Sequence, residues 1–504
     1  MPAACSHGGV PLGSLLIKDG LLVCMDATRT VTRGDLLIDG DRIAALGDAV
    51  GPALAKLPGG RAQQLFDASG ALVLPGFIHG HMHLCQTLFR GLAEQSDLLL
   101  WLRERIWPLE AAHTPASMAA AVRLAATELL AGGVTCVNDM GTVLHTDVLG
   151  ETLMATGMRA VFGKALMDQG DGVPAGLRET GAQALEGALA VAKRFHGAAG
   201  GRMQVSLAPR FILSCSEGLW RDVAAASREQ GLLIHTHVAE APNEGGEVKG
   251  AVGMHATPYF EAHGVLGPRF VGAHGVWLDD AELAAFARTD AALVHCPGSN
   301  LKLGSGSADV KAWKRHGIRC GLGSDGAACN NRLDTFAEMS LGAGLARVQH
   351  RDDPLHAREY VALATCDGAR ALGLADRIGS LETGKQADIA VIDVSAAHHA
   401  PFEERDPYLT LVHAARASDV TLTVVAGRVL YERGRWSTLD PERAVADARA
   451  EARGLVRRAE DSGQLGASGP GGPVGASGPG GPVGVSGPGG PVGAGGPGGP
   501  GSSR

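Results

Sequence analysis

Between residues 75 and 374 the chain alternates short apolar runs with longer stretches whose apolar residues recur at helical spacing. Helical patterns fall at 117–131, 181–195 and 217–230. The strand-like runs lie at 134–140, 159–166, 203–209, 232–238, 270–273, 292–296 and 319–323. Such alternation over about 300 residues is typical of a parallel sheet, and the length suits an α/β fold of the (β/α)₈, TIM-barrel type. A doubly wound open sheet is the alternative, but no G-x-G-x-x-G or phosphate-binding loop follows an early strand.

The segments on either side of this region read as short strands separated by turn residues. They lie at 14–18, 21–25, 34–38 and 42–46 near the start, and at 387–394, 420–425 and 428–432 near the end. We therefore expect residues 1–74 and 375–435 to form one composite β-sandwich from both ends of the chain. Residues 75–374 then form the barrel, and the apolar run at 72–78 is predicted to begin its first strand.

The last part of the chain changes character twice. Residues 436–462 are predicted to hold a charged C-terminal helix, with its pattern at 441–460. From residue 463 to 504 the chain is rich in glycine and proline, and from 463 to 501 glycine falls at every third position as in collagen. This segment is short, carries almost no charge and places proline in only one position of each triplet, so we expect a disordered tail. A triple-helical trimerisation arm is the alternative.

Composition narrows the range of partners. The net charge is −8 and aromatic residues make up 4% of the chain, which argues against a nucleic-acid binder or a membrane-surface binder. The 9 cysteines include no C-x-x-C pair, so neither a disulfide framework nor a thiolate zinc site is indicated. We found no secretory signal and no apolar run of 18 residues, and therefore expect a cytoplasmic protein.

The sequence His81-Met82-His83 is the first candidate for chemistry. In a strand, residues i and i+2 face the same way, so both imidazoles project toward one point. Two buried core histidines would fit this pattern as well as two metal ligands do.

Further strand ends favour the metal site. One predicted strand ends in HTHVAE (235–240), the next in AHG (273–275), and a later one in GSDG (323–326). In a parallel barrel all strand C-termini meet on one face, where His237, His274 and Asp325 join the first pair. Three neutral imidazoles and a carboxylate suit Zn²⁺ and also Fe²⁺, with water in the open position. Glu240 lies close enough to move protons there.

With these strand ends the chain resembles the amidohydrolase superfamily, and within it the nucleobase and nucleoside deaminases. The resemblance rests on PGFIHGHMH (75–83), HTHVAE (235–240), AHGVWL (273–278), GSDGAACNN (323–331) and GSLETGKQAD (379–388). It covers roughly residues 14–435. It implies a metal held by His81, His83, His237 and Asp325.

The resemblance also implies roles in catalysis. The residue at Glu240 protonates a ring nitrogen, His274 orients the attacking hydroxide, and Asp325 doubles as ligand and proton acceptor. His235 resembles a residue of the layer behind the ligands. Binuclear relatives use a carbamylated lysine from the fourth strand; the predicted fourth strand here has none, and Lys164 lies on the strand before, so one metal per chain is expected.

The segment 84–110 resembles the lid of deaminases that act on S-adenosylhomocysteine, methylthioadenosine or 5′-deoxyadenosine. Glu110 matches a glutamate that accepts hydrogen bonds from ribose hydroxyls, as a carboxylate facing a vicinal diol can. Arg210 stands where such enzymes have a histidine, and it could favour a smaller 5′ group. Arg178 is a candidate for the far end of the substrate, in a poorly matching context. His79 replaces the Asp, Asn or Thr common in relatives.

The predicted function is therefore hydrolytic deamination of adenosine-type nucleosides, with metal-bound hydroxide attacking C6 and ammonia leaving. Another hydrolase of the superfamily, such as a triazine chlorohydrolase or a guanine deaminase, would use the same centre. A non-catalytic scaffold should have lost a ligand or Glu240, and the sequence retains all of them. We expect a small-molecule nucleoside partner and a homo-oligomer.

Overall fold

The computed structural model describes residues 13–93 and 98–465. Most of the glycine-rich segment predicted as a tail, from residue 466 onward, lies outside the described residues. Within the described ranges, no helix is both long and apolar enough to cross a membrane.

The predicted barrel is confirmed. Eight parallel strands follow one another around it in chain order. They are β6 (Phe77–Met82), β7 (Val134–Asp139), β8 (Arg159–Leu166), β9 (Met203–Pro209), β10 (Leu233–Val238), β11 (Phe270–His274), β12 (Ala292–His295) and β13 (Arg319–Leu322). The last strand returns to the first, where the amide of Asp325 donates to the carbonyl of His81 at 3.2 Å.

The two ends of the chain pair with each other in one nine-stranded sheet. Its strands are β1 (Ser14–Val23), β2 (Val31–Asp39), β3 (Arg42–Leu46), β4 (Gln64–Asp67), β5 (Ala71–Pro75), β14 (Ile389–Asp393), β15 (Val420–Val425), β16 (Arg428–Glu432) and β17 (Arg435–Trp436). The two halves join where β5 pairs antiparallel with β14, so neither end completes this sheet without the other.

The expectation that residues 72–78 form the first barrel strand was wrong in one respect. The run is split: β5 belongs to the composite sheet, and the barrel strand begins only at Phe77. The chain crosses between the sheets at Gly76, where an added Cβ would lie 2.1 Å from the Thr135 side chain. Only glycine permits that close approach, and an apolar run by itself does not reveal such a crossing.

The helices pack around the barrel and over its rim, except the first, which packs on β2 and β3 of the composite sheet. They are α1 (Val50–Leu54), α2 (Leu98–Trp101), α3 (Trp107–Ala111), α4 (Pro115–Ala131), α5 (Thr146–Thr156), α6 (Gly181–Phe195), α7 (Ala198–Gly201), α8 (Glu217–Gln230), α9 (Glu244–Val252), α10 (Ala256–Ala262), α11 (Asp280–Arg288), α12 (Pro297–Lys302), α13 (Val310–Arg315), α14 (Ala327–Asn330), α15 (Thr335–Gln349), α16 (Ala357–Leu363), α17 (Cys366–Ala371), α18 (Pro407–His413) and α19 (Pro441–Asp461).

Local sequence sets the ends of several of these helices. Thr180 accepts a hydrogen bond from the amide of Gln183, whose side chain bonds back to Thr180, which is the reciprocal cap that starts α6. At the start of α8 the Ser216 side chain likewise accepts a hydrogen bond from a backbone amide, that of Leu219. Gly231 ends α8 with φ +70°. That left-handed conformation is one that glycine adopts without a steric penalty.

A buried ion pair ties the barrel to the composite sheet. Arg159, at the start of β8, donates to both carboxylate oxygens of Asp388 at 2.7 and 2.9 Å, and both side chains are 1% exposed. Asp388 ends the GSLETGKQAD stretch noted in the sequence, and it also accepts from the amide of Ala426 at 2.8 Å. This stretch therefore helps to attach the composite sheet to the barrel.

The C-terminal helix α19 packs against α4 and α3 near the barrel rim. Asp440 caps it, and Ala444, Ala448, Leu455 and Ala459 are its buried residues. Arg458 donates from Nε to the carbonyl of Ala112 at 2.9 Å, just after α3.

Candidate metal centre and active site

The histidine pair lies at the C-terminal end of the first barrel strand. His81 is in β6 and His83 directly follows it in extended conformation, so the two rings point to the same side. The exposed fraction is 0% for His81 and 3% for His83. Their ring centroids are 5.0 Å apart.

Three other strand ends bring their side chains to this pair. His237, in β10, has its Nε2 3.2 Å from the Nε2 of His83. Asp325 follows β13, and its Oδ1 lies 3.3 Å from the Nε2 of His81 and 3.5 Å from that of His83. His274 ends β11, with Nε2 3.9 Å from the Asp325 Oδ2. The structure therefore brings together the metal-site residues predicted from sequence.

Burial sets the charge states of these groups. Desolvation holds the pKa values of His83 and His237 well below the ordinary value, and lowers the pKa of His274 to about 3. Burial would raise the pKa of Asp325, but the close imidazoles of His81, His83 and His274 outweigh it and hold that pKa well below its usual range. Neutral imidazoles and an ionised carboxylate are the forms that bind a metal.

Hydrogen bonds behind the rings choose which nitrogen faces the centre. The Nδ1 of His237 donates to the backbone carbonyl of Arg210 at 2.7 Å, which leaves the Nε2 lone pair pointing into the site. The Nδ1 of His81 is 2.8 Å from the Nε2 of His235, so His235 lies in the layer behind the ligands. Partners of this kind fix ring tautomer and orientation in metal sites.

The carboxylate of Asp325 is held in the same way. Its Oδ1 accepts from the amide of Gly326 at 2.7 Å, and its Oδ2 accepts from the hydroxyl of Ser299 at 2.6 Å. Ser299 lies just after β12, in the Cys-Pro-Gly-Ser-Asn run at 296–300. The sequence analysis missed this run, although polar residues directly after a barrel strand were the signal that identified the other positions.

The residues present fit a divalent metal. Among the described residues, the buried Nε2 of His81 has no hydrogen-bond partner. Two neutral nitrogens, from His83 and His237, face each other at 3.2 Å, with an anionic oxygen of Asp325 beside His83. Nitrogen lone pairs and a carboxylate that converge without protons between them are the donor set of a zinc or iron site.

Glu240 and His274 lie next to each other beside the candidate metal ligands. The Glu240 Oε2 lies 3.5 Å from the His274 Nε2, and both residues are buried. Burial first, then the negative charges of Asp325 and Glu244, raise the pKa of Glu240 well above its ordinary value. The raised pKa favours the protonated carboxyl, which is the form that can donate a proton. Glu244 accepts from the amides of Glu240 and Ala241 at 2.6 and 3.2 Å, a contact not expected from sequence.

A hydrogen bond with Asn300 gives His274 a different tautomer from that of His237. Its Nδ2 is 3.0 Å from the His274 Nδ1, so the ring accepts there and carries its proton on Nε2, facing the site. His274 also has φ +76°, Ala239 has φ +49° and Asp325 has φ +60°. Non-glycine residues pay a conformational cost for such angles, and they collect at functional sites.

The predicted substrate-binding residues differ in their burial and in whether they line the cavity. Glu110 is fully buried, with its carboxylate bound to Arg210 at 2.5 and 3.1 Å and its Oε1 also bound by Gln86 at 3.1 Å. Arg210 and Gln86 line the cavity in front of the candidate metal centre, whereas Glu110 lies behind them and does not line it. Arg178 is exposed and is not among the residues that line this cavity. Its role in substrate binding therefore stays a prediction.

The two other residues weighed in the sequence are structural. Lys164 lies on β8, the third barrel strand, and pairs with Glu179. His79 is buried between the hydroxyls of Ser324 and Thr335, at 2.8 Å from each. Burial lowers the pKa of His79 to about 4, so it is a neutral hydrogen-bonding group.

A metal-dependent hydrolase is the class of protein that this fold and this centre define. A family model described as the amidohydrolase family matches residues 72–430. The chain belongs to the amidohydrolase family.

Similar proteins come from both sequence and structure comparison. The chain is 36% identical over 428 residues to a 5′-deoxyadenosine deaminase of Methanothermobacter thermautotrophicus, covering 84% of this chain and 95% of that one. It is 34% identical over 437 residues to a 5-methylthioadenosine/S-adenosylhomocysteine deaminase of Moorella thermoacetica, covering 86% and 98%. A crystal structure of an adenosine deaminase from Xanthomonas campestris with bound zinc superposes with TM-score 0.80 at 29% identity, covering 88% and 98%.

Proposed function

We propose that this protein is a zinc-dependent hydrolytic deaminase of adenosine-type nucleosides, with 5′-deoxyadenosine, methylthioadenosine and S-adenosylhomocysteine as the candidate substrates. One observation carries the proposal: the buried carboxyl of Glu240, whose pKa is raised by burial, lies 3.5 Å from the Nε2 of His274, beside the predicted ligands. The names of the relatives support the choice of substrate class. A scaffold without activity has no reason to retain this arrangement.

The predicted ligands His81, His83, His237 and Asp325 would hold one metal per chain. A divalent metal in such a site lowers the pKa of a water molecule and so supplies a nucleophile near neutral pH. The remaining chemistry falls to the side chains around it.

His274, with its proton on Nε2, donates to the attacking oxygen and holds it toward C6 of the purine. Glu240 gives its proton to the ring nitrogen N1, which lets C6 accept the new C–O bond. Asp325 accepts the proton of the attacking water and passes it to the departing amine. The C–N bond then breaks and ammonia leaves. As the carbonyl at C6 forms, the remaining hydroxyl proton passes to the Glu240 carboxylate, which restores the acid for the next turnover.

We propose that the ribose of the substrate binds at the inner wall of the cavity. Arg210 and Gln86 face the cavity, and Glu110 binds both from behind. We propose that these two side chains contact the ribose, and that Glu110 fixes their positions. Leu98, Trp101 and Phe211 give the same cavity an apolar side, which suits the purine or a small 5′ group.

An assay that measures the release of both ammonia and chloride tests the proposal. The purified protein is supplied with 5′-deoxyadenosine, methylthioadenosine, S-adenosylhomocysteine, adenosine, guanine and chlorinated or aminated triazines in parallel. We expect turnover of at least one adenosine with formation of the matching inosine. Activity on triazines or guanine with none on any adenosine would contradict the proposal and favour another hydrolase of the family.

A further inference from the structure

A second cluster of metal-ligating side chains lies in the composite sheet. It consists of His398, His399 and Asp419, and we call it the β14–β15 cluster. The two histidines follow β14, and the aspartate directly precedes β15. Strands β14 and β15 pair antiparallel, with Ile392 opposite Val420, so these segments lie side by side at one end of the pair. None of the three residues lines the cavity described above.

Both imidazoles point at the same atom. The Asp419 Oδ2 lies 3.0 Å from the Nε2 of His398 and 3.1 Å from the Nε2 of His399. The same oxygen also accepts from the amide of Arg416 at 2.9 Å. Three nitrogens, two from imidazole rings and one from the backbone, therefore point at the Asp419 Oδ2, which has only two lone pairs. Among the described residues, no hydrogen bond is made to the Asp419 Oδ1.

The cluster is buried on one side and open on the other. The His399 side chain is 0% exposed, that of Asp419 is 9% exposed and that of His398 is 29% exposed. The exposed edge at His398 leaves room for water ligands.

The positions of the three side chains are fixed by their backbone. His398 and His399 lie in the short 3₁₀ turn Ala397–His399, and Asp419 ends a second turn, Ala417–Asp419. The amide of His399 donates to Ala396, and the amide of Asp419 to Arg416, at 3.0 Å each. Ligands on closed turns lose little conformational entropy on binding a metal.

We propose that the β14–β15 cluster is a peripheral binding site for a divalent transition metal of the zinc class. The ligands are the Nε2 atoms of His398 and His399 and the carboxylate of Asp419, and water completes the coordination. Two imidazoles, one carboxylate and water form a borderline-soft donor set that favours zinc or its first-row neighbours over magnesium or calcium. The bound metal links the turn after β14 to the turn before β15, which are the two ends of the segment that contains α18. This role is independent of the proposed deaminase activity.

Zinc stoichiometry of the full-length protein tests the site. The parent, His398→Ala and His413→Ala are equilibrated with zinc, desalted and analysed for metal per chain. His413 is an exposed histidine in α18 outside the cluster, and serves as the matched control. We expect His398→Ala to lose one zinc equivalent relative to the parent and His413→Ala to lose none. Equal zinc in parent and His398→Ala, or equal losses in both variants, would overturn the proposal.

Two further measurements separate this site from the catalytic centre and from a folding defect. His81→Ala should lose the catalytic equivalent and keep the one that His398→Ala loses. Cobalt(II) titration of the parent and of Asp419→Asn should show one visible-absorbing equivalent fewer in the variant, with deaminase turnover unchanged. The same cobalt spectrum in both proteins would also overturn the proposal.

Discussion

The backbone carbonyl of Arg210 accepts a hydrogen bond from the Nδ1 of His237 at 2.7 Å, while the guanidinium of the same residue binds Glu110. One residue at the end of the fourth barrel strand therefore serves two parts of the site. Its main chain fixes the tautomer of a predicted metal ligand, and its side chain forms part of the cavity wall.

Replacing Glu240 with glutamine should separate metal binding from catalysis. The amide keeps the size of the side chain but cannot donate a proton to the ring nitrogen, so turnover should fall by about 100- to 10,000-fold. Metal content should stay that of the parent. Ammonia release and elemental analysis measure the two effects. Glu247→Gln, on the exposed face of α9, is the matched control. Full activity of Glu240→Gln would show that the proton-transfer role is misassigned.

The hydrogen bond from His81 to His235 should set metal affinity. In His235→Phe the Nδ1 of His81 loses its partner, so the ring loses its fixed tautomer. Metal affinity should weaken by about 10- to 100-fold. Competition with a chelator measures this change. His235→Gln can accept the same hydrogen bond and should recover part of the affinity. If the phenylalanine variant binds metal as tightly as the parent, His235 has no positioning role.

The Glu110–Arg210 pair should behave as a buried ion pair. Removing one partner leaves the other charge buried and alone, so Arg210→Met should destabilise the protein by about 3–5 kcal/mol. The double variant Glu110→Gln/Arg210→Met removes both charges and should be more stable than Arg210→Met. Thermal unfolding compares the three proteins. In the more conservative Glu110→Gln, KM for the nucleoside should rise more than kcat falls. A double variant less stable than Arg210→Met would argue against this pairing.

Glu338 should make stability depend on pH. It accepts from Asn330 and from the amide of Gly298, at 2.8 and 2.9 Å, and burial raises its pKa from 4.5 to about 7. Between about pH 4.5 and pH 7 the unfolded chain gives up this proton more readily than the folded chain. The folded state therefore loses stability from this group as pH rises through that window.

Glu338→Gln cannot ionise, so its melting temperature relative to the parent should rise from pH 4.5 to pH 7. Thermal unfolding of both proteins across that range measures the difference, which cancels the other titrating groups. Glu247→Gln should give a flat difference over the same range. A flat difference for Glu338→Gln would mean that this carboxyl titrates alike in the folded and unfolded chains.

Periodicity predicted the barrel well because each strand is a buried apolar run between helical patterns. The predicted strand at 203–209 matches β9 residue for residue. The run at 72–78 misled, because both sheets bury apolar residues and the crossing at Gly76 depends on contact with Thr135. Spacing along one strand cannot show which sheet it joins.

The sequence by itself was enough to predict which side chains meet at the candidate metal centre of this protein. Strand ends carry His81, His83, His237, His274 and Asp325, and a parallel barrel must gather such ends on one face. The tertiary structure decided what lies behind them: the His235 contact, the carbonyl of Arg210 and the pairing of Glu110 with Arg210. These contacts join residues far apart in the chain, and their distances depend on packing, which no local pattern encodes.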